Sequence, residues 1–164
     1  METPIQRLDF PNHRNVRLYC KREDLLPFSL GGNKVRIGQA FYADMLAKGK
    51  DCMMVYGNSR SNLCRVLANL CRAHQIPCYM ICSREEGEES GVETNNSRLM
   101  KWLGAEVIPC EKTNIAQTEE DTINRLTAEG KHPYYIFGDK YGTGTEGTPV
   151  QAYVEGYREM RQWE

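Results

Sequence analysis

Short apolar segments alternate with longer amphipathic segments from about residue 50 to the last residue, and this alternation constrains the fold most. The apolar segments, which we interpret as strands, cover residues 52–56, 78–82, 105–109 and 134–137. The amphipathic segments, which we interpret as helices, cover residues 61–74, 93–103, 115–129 and 149–163. Strands that alternate with helices are typical of βαβ units and of a parallel sheet covered on both faces. The sequence therefore predicts an α/β fold of three αβα layers around a parallel four-stranded sheet.

The first 49 residues follow a different pattern. Residues 1–33 are rich in turn formers, with a predicted strand at 16–21. The sequence Gly-Gly-Asn at 31–33 is typical of a tight turn and a helix N-cap. A helix is predicted over 34–47, and its apolar face should contain Ile37, Phe41, Met45 and Leu46. We expect residues 1–49 to belong to a larger domain and residues 50–164 to form a small α/β domain.

Charge and cysteine content limit the class of protein. The formal net charge is −1, which gives no reason to expect a nucleic acid or a membrane as partner. The apolar runs are too short to span a bilayer, and the N-terminus lacks a basic start and an apolar stretch. The seven cysteines include no Cys-x-x-Cys pair. Five of them fall in predicted strands or helices, which favours reduced core residues and a cytoplasmic protein. These five are Cys52, Cys64, Cys71, Cys78 and Cys82.

Two loops follow predicted strands and so lie where open α/β sheets bind ligands. The loop at 57–62 (GNSRSN) leads into a helix, whose free N–H groups and positive dipole end suit a carboxylate or phosphate. Ser61 and Asn62 would add side-chain hydrogen bonds, although both residue types also serve simply as helix caps. The glycine-rich loop at 138–148 lacks a phosphate-binding signature and is equally consistent with a packing loop.

Lys34 is the third candidate, because it stands at the predicted start of a helix. The helix dipole disfavours a cation at that end. A lysine held there and shielded from water would favour its neutral amine, which is the form that reacts with carbonyl groups. The alternative is an ordinary solvated surface lysine.

Three stretches together resemble one enzyme family. Residues 21–27 (KREDLLP) run into residues 30–36 (LGGNKVR), Ser61-Asn62 is followed by Arg65, and residues 133–136 lead through the glycine loop to residues 153–154. This order is similar to the D-cysteine desulfhydrase and aminocyclopropane-carboxylate deaminase family, whose members use pyridoxal 5′-phosphate (PLP). The resemblance implies the tryptophan-synthase-β-like fold, fold type II, with this chain corresponding to the N-terminal half.

The resemblance also implies roles for three residues. Lys34 would bond covalently to PLP and later move the proton of the substrate Cα. Asn62 would hydrogen-bond the 3′-oxygen of the cofactor, and Ser61 would bind the substrate carboxylate together with Asn62. In the deaminase branch of the family, Ser61 would also act as a catalytic residue that assists proton movement. The implied reaction is β-elimination or ring opening of a small amino acid to a keto acid and ammonia.

The chain departs from the family pattern in two ways. Leu63 stands where the family usually has histidine, and family members are roughly twice as long as this chain. The missing half would supply the phosphate-binding loop, so the expected partners are a small amino-acid substrate and either further copies of the chain or a C-terminal half. One alternative is a non-catalytic α/β module or a split-enzyme subunit that binds a partner. Another, by fold analogy alone, is a nucleotide-binding flavodoxin-like domain.

Overall fold

The computed structural model describes residues 2–11, 13–14, 16–84 and 93–163. Most of the acidic loop predicted at 83–91 lies outside these residues, while residues 83 and 84 end a strand. The strands are β1 (Ile5–Leu8), β2 (Leu18–Lys21), β3 (Cys52–Gly57), β4 (Cys78–Arg84), β5 (Glu106–Glu111) and β6 (Pro133–Tyr135). The helices are α1 (Lys34–Ala47), α2 (Asn62–Ala73), α3 (Asn95–Trp102), α4 (Ile115–Ala128) and α5 (Gly147–Arg161). Short 3-10 helices lie at Glu23–Leu25 and Lys112–Asn114.

Four of the strands form the predicted parallel sheet, in the order β5-β4-β3-β6. The chain moves outward from β3 through β4 to β5, and then returns across the sheet to place β6 on the other side of β3. The direction of strand addition therefore reverses at β3. In open α/β sheets such a reversal opens a crevice beyond the carboxyl ends of the strands, which is where ligands bind.

Helices cover both faces of the sheet, which confirms the three-layer arrangement. Met53 and Val55 of β3 point into a core built with α1, α2, α3 and α5, whereas Cys52 and Met54 point into a second core built with α4. All four side chains are completely buried. A strand with both faces buried needs an uninterrupted apolar run, and this explains the sequence from Cys52 to Val55.

A second, smaller sheet pairs β1 with β2 in antiparallel fashion, with Ile5 opposite Lys21 and Leu8 opposite Leu18. Strand β1 was not predicted from the sequence. Its side chains are mostly exposed and its sequence, IQRL, has only weak alternation. The strand depends on pairing with β2, a contact that local sequence does not encode.

Most predicted boundaries lie within two residues of the observed ones, and α1 has the predicted bounds. Leu46 is an error, because 53% of its surface is exposed and it does not join the apolar face of α1. The helix predicted at 149–163 begins earlier, at Gly147, so Pro149 is its third residue. Proline is tolerated there because first-turn N–H groups have no partner within the helix.

The cysteines match their predicted role. No disulfide joins any of the seven. Cys52, Cys64, Cys71 and Cys78 are buried, and Cys82 is partly buried. They therefore pack as small apolar side chains, as Cys64 and Cys71 do between α2 and the sheet.

One buried acidic side chain has a carboxyl oxygen without a described hydrogen bond. Glu119 of α4 is 2% exposed, and its Oε1 atom has no hydrogen-bond partner among the described residues. Burial raises the pKa of Glu119 from its usual value near 4.5 to about 7, and the nearby Asp139 carboxylate adds to the rise. The native protein therefore holds a proton on Glu119 at pH values where the unfolded chain has lost it.

This difference predicts a pH-dependent stability. Because the native state binds more protons than the unfolded state between about pH 4.5 and pH 7, the free energy of unfolding should fall as the pH rises through that window. Glu119→Gln removes the ionisation, so it should stabilise the protein at pH 8 by roughly 1–3 kcal/mol and by much less at pH 5. Urea unfolding at the two pH values measures this. Asp121→Asn, exposed on the same helix, is the control and should show no such difference. Equal effects of Glu119→Gln at both pH values would contradict the prediction.

Candidate active site

The loop that follows β3 lies at the carboxyl end of the sheet, next to the loop that follows β6. Ser61 is the N-cap of α2, and its Oγ accepts a hydrogen bond from the backbone N–H of Cys64 at 3.2 Å. Gly57, at the end of β3, has no room for a side chain. An added Cβ would lie 2.7 Å from Cys64 Sγ and 3.2 Å from Ser61 Oγ. The strand end and the start of α2 are therefore packed directly on each other.

Asn62 is the first residue of α2 and is exposed. Its Oδ1 accepts a hydrogen bond from Asn96 Nδ2 at 3.0 Å, and Asn96 also donates to the carbonyl of Arg60 at 2.8 Å. Thr94, the N-cap of α3, donates to the carbonyl of Ser59. The start of α3 thus fixes the shape of the loop that carries the predicted residues.

The contacts that Thr94 and Asn96 make with this loop were not predicted from the sequence. A signal for part of this arrangement was present, because Thr94 and Ser97 form a reciprocal capping box and the Thr-x-x-Ser spacing resembles that motif. The contacts to the loop at 57–62 join residues more than 30 positions apart, and only the tertiary structure brings them together.

Lys34 is the first residue of α1 and is half-buried. Among the residues that the structure describes, no hydrogen bond or ion pair engages its amine. The N-cap Asn33 makes no side-chain cap bond, and the first turn of α1 contains no acidic residue. The amine therefore sits near the positive end of a helix with no described counter-charge.

Lys34 and the Ser61-Asn62 pair lie at the same end of a helix pair. Gly38 of α1 packs against Val66 of α2, and four residues further along α1 the ring of Tyr42 stacks on His74 at the end of α2, with ring centroids 4.4 Å apart. Because contacts advance along both helices together, α1 and α2 run in the same general direction. Their N-termini therefore face the same side of the molecule.

The turn before Lys34 has an unusual backbone. Ser29, Leu30, Gly31 and Gly32 all have positive φ values, of 47°, 65°, 70° and 91°. Such conformations are costly for residues with a side chain and tend to persist where the surrounding structure enforces them. An added Cβ at Gly31 would overlap the Asp24 carbonyl. Glycine is thus required at position 31, because the backbone there packs closely against Asp24.

The glycine-rich loop between β6 and α5 is closed by its own side chains. Asp139 accepts hydrogen bonds from the backbone N–H groups of Tyr141 and Thr143 at 2.8 and 3.0 Å, and from Thr143 Oγ1 at 2.6 Å. The Gly144 N–H donates to Glu146. Carboxylates of the protein already occupy these donors, so the loop has the character of a packing loop rather than of a phosphate cradle.

Arg65, one turn into α2, is an unexpected feature. Only 7% of its surface is exposed, and its guanidinium makes no ion pair with any described residue. Its Nε is buried with no hydrogen-bond partner in the described part of the chain. Burial alone lowers the pKa of this arginine. A buried cation without a counter-charge is costly, so the described structure contains an uncompensated charge close to the candidate site.

Comparisons with known proteins identify the class to which this fold and site belong. The family model described as "Pyridoxal-phosphate dependent enzyme" matches residues 1–160. The chain therefore belongs to this family, and its cofactor is PLP. The family assignment excludes the flavodoxin-like alternative.

Two curated relatives are D-cysteine desulfhydrases. The protein from Klebsiella pneumoniae is 28% identical over 98% of this chain and 49% of its own length. The protein from Serratia proteamaculans is 30% identical over 82% of this chain and 42% of its own length. This chain thus spans about half the length of the curated relatives that it matches.

Solved structures show the same fold. One is a crystal structure of an aminocyclopropane-carboxylate (ACC) deaminase homologue, with a TM-score of 0.77 and 24% sequence identity. The match covers all of this chain and 49% of the homologue's chain. A hydrogen sulfide-producing enzyme from Fusobacterium nucleatum matches 95% of this chain and 50% of its own, with a TM-score of 0.59 and 16% identity. The architecture is therefore that of PLP enzymes of fold type II.

The residues present suit PLP. The cofactor needs a lysine amine that is not already held by another side chain, and Lys34 has no hydrogen-bond or ion-pair partner among the described residues. Polar groups that could face the cofactor or a substrate carboxylate cluster at the same end of the helix pair, in Ser61, in Asn62 and in the first N–H groups of α2. Within the described residues, no helix is long and apolar enough to cross a membrane, and no cluster of three His, Cys, Asp or Glu could hold a metal ion.

Arg65 provides a test of this electrostatic description. Arg65→Met keeps much of the volume and removes a buried charge that lacks a described partner, so it should leave the free energy of unfolding unchanged or raise it by about 1 kcal/mol. Urea unfolding measures the change, and Arg72→Met, on the exposed part of α2, is the control. A loss of stability well beyond that of the control would mean that an acceptor outside the described residues pairs with Arg65.

Proposed function

We propose that this chain carries the cofactor lysine and the carboxylate-binding helix of a PLP-dependent deaminase or desulfhydrase that acts on a small amino acid. One observation supports the proposal: α1 and α2 run in the same direction, so that Lys34 and the Ser61-Asn62 pair lie at the same end of the helix pair. The names of the D-cysteine desulfhydrase relatives support the choice of substrate class.

Each of the three residues has a distinct proposed role. Lys34 would hold the cofactor through its amine and, where the reaction is β-elimination, would take the proton from the substrate Cα. Asn62 donates to the 3′-oxygen of the cofactor, and its contact with Asn96 at 3.0 Å orients the amide so that its nitrogen is free to do so. Ser61 and the N–H groups of α2 bind the substrate carboxylate, where the positive end of the helix dipole favours negative charge.

PLP supplies the electron sink that makes a bond to the substrate Cα breakable. The proposed outcomes are β-elimination, or ring opening where the substrate is a cyclopropane amino acid. Water is consumed and a keto acid and ammonia are released, with hydrogen sulfide as a further product from cysteine. Leu63 cannot hydrogen-bond through its side chain, so any group that a histidine would contact there must be satisfied by other residues.

A second candidate function is a non-catalytic α/β module or a split-enzyme subunit that binds a partner. The observation that favours it is an exposed apolar stripe on α5, formed by Val150, Tyr153, Tyr157 and Met160. These residues are spaced three or four apart and so lie on one side of the helix. Contiguous apolar surface of this kind often marks an interface.

Other features of the complete protein are also proposals. We propose that residues 1–49 contribute to the larger PLP domain and residues 50–164 to the small one, and that the exposed α5 stripe is covered by a further half of the fold or by another copy of the chain. The buried, reduced cysteines favour a reducing compartment, and we propose the cytoplasm.

The proposed role of Lys34 can be tested by absorbance. Purified chain incubated with PLP and then freed of excess should retain a band at the visible edge, and Lys34→Ala should abolish that band because it removes the amine. Lys101→Ala, an exposed lysine on α3, is the matched control and should leave the band intact.

The other outcomes separate the two candidate functions. A band of equal strength in Lys34→Ala would show that another lysine holds the cofactor, which would contradict the proposal. If no variant and not even the native chain retains PLP, the chain does not hold the cofactor alone, and that result favours the partner-binding alternative.

A further inference from the structure

Four charged side chains from four parts of the chain meet beside the start of α1. Arg36 donates to Glu23 through Nε at 2.5 Å and through Nη2 at 3.0 Å. It also donates to Glu159 of α5, through Nη1 at 2.6 Å and Nη2 at 2.9 Å. Lys21 of β2 donates to Glu159 at 2.7 Å. We call Lys21, Glu23, Arg36 and Glu159 the charge cluster.

The charge cluster is well shielded and electrically balanced. The exposed fractions of its side chains are 8% for Arg36, 11% for Lys21, 15% for Glu159 and 19% for Glu23. Two cations face two carboxylates, and Thr3 Oγ1 adds a further hydrogen bond to Glu23 at 2.7 Å. Shielded hydrogen bonds between charges are stronger than exposed ones, and removing one partner leaves an uncompensated buried charge.

The cluster includes one residue that the motifs do not contain. Lys21, Glu23 and Arg36 belong to the two motif stretches at 21–27 and 30–36, whereas Glu159 comes from α5, more than 120 residues later. Burial opposes the ionisation of Glu159, but hydrogen bonds from Arg36 and Lys21 outweigh it and lower the pKa of Glu159 to about 2. The carboxylate is therefore charged at every pH near neutrality.

The helix geometry connects this cluster to Lys34. Successive helical residues are rotated by about 100°, so Lys34 and Arg36 project about 200° apart, on nearly opposite sides of α1. Holding Arg36 from one side fixes the rotation of the first turn and so fixes the direction in which Lys34 leaves it. Helix α5 also contacts the residue that precedes Lys34, because Asn33 Nδ2 donates a hydrogen bond to Tyr153 Oη at 2.9 Å.

The first turn of α1 depends on such outside contacts. The N-cap Asn33 forms no capping bond, no acidic side chain stabilises the positive helix end, and four left-handed residues precede the helix. Each of these features weakens a helix start.

We propose that Glu159 is a positioning residue for Lys34: together with Glu23 it holds the Arg36 guanidinium and thereby sets the orientation of the α1 turn from which the lysine amine projects. The role of Lys34 in this proposal rests on the proposed function. The orientation of the α1 turn by Arg36 and its two carboxylates does not depend on that function. Glu159 itself does not contact cofactor or substrate in the proposal.

Two readouts on the full chain test this. In hydrogen–deuterium exchange, Glu159→Gln should speed exchange of the backbone amides of residues 35–41 by about tenfold, as expected on loss of a charge-assisted hydrogen bond, while amides of β3 and β4 stay protected. The second readout is reaction with PLP, followed by borohydride reduction and peptide mapping. In the native chain PLP should label Lys34 more than the exposed Lys101. In Glu159→Gln the labelling of Lys34 should fall toward that of Lys101.

Matched variants keep the test decisive. Glu155→Gln, on the same helix and exposed, makes the same chemical change outside the cluster and should behave as the native chain. Glu159→Asp keeps the charge and should be closer to native than Glu159→Gln in both readouts. If Glu159→Gln fails to fold, Glu159→Asp, which shortens the side chain, is measured in its place.

The outcomes are distinguishable. Native exchange at residues 35–41 in Glu159→Gln, or equal effects of Glu155→Gln, would overturn the positioning role. If Lys34 is not preferentially labelled in the native chain, its proposed catalytic function fails, and the exchange result still decides whether Glu159 holds the first turn of α1.

Discussion

The close approach of α1 to α2 at Gly38 is the constraint on which the site depends. A Cβ at Gly38 would lie 2.7 Å from a methyl group of Val66, so only glycine permits this separation. The contact sets the two helices side by side in the same direction, with their N-termini at the same end of the pair. The positive ends of both helix dipoles then face the same side of the molecule, beside the point where the sheet reverses its direction of strand addition. The site is thus a consequence of helix packing.

Buried charge is handled in two different ways within 30 residues of sequence. Arg36 is shielded but has two carboxylates in direct contact, so the cost of removing it from water is offset by paired hydrogen bonds. Arg65 is equally buried and has no described counter-charge. Arg36 is therefore paired with carboxylates, whereas Arg65 has no acidic partner among the described residues.

The regular part of the fold could be predicted from local pattern alone. The continuous apolar run at β3 and the helical spacing of α1 each reflect burial that the sequence records directly. The errors have a common cause. β1 is exposed and exists only through pairing with β2, and Leu46 follows the helical apolar pattern of α1 but faces solvent where no element covers it. Local pattern reports what a segment could bury, and tertiary packing decides whether a partner is present.

The sequence by itself determined the α/β class, the parallel sheet and the family motifs around Lys34 and Ser61-Asn62, because each depends on residues close together in the chain. Only the tertiary structure decided the order of the strands, the common direction of α1 and α2, and the support that Asn96 gives to Asn62 and Glu159 gives to Arg36. These contacts join residues between 34 and 123 positions apart. No local propensity encodes such pairs, because they form only when the packing of the whole sheet and its helices brings the segments together.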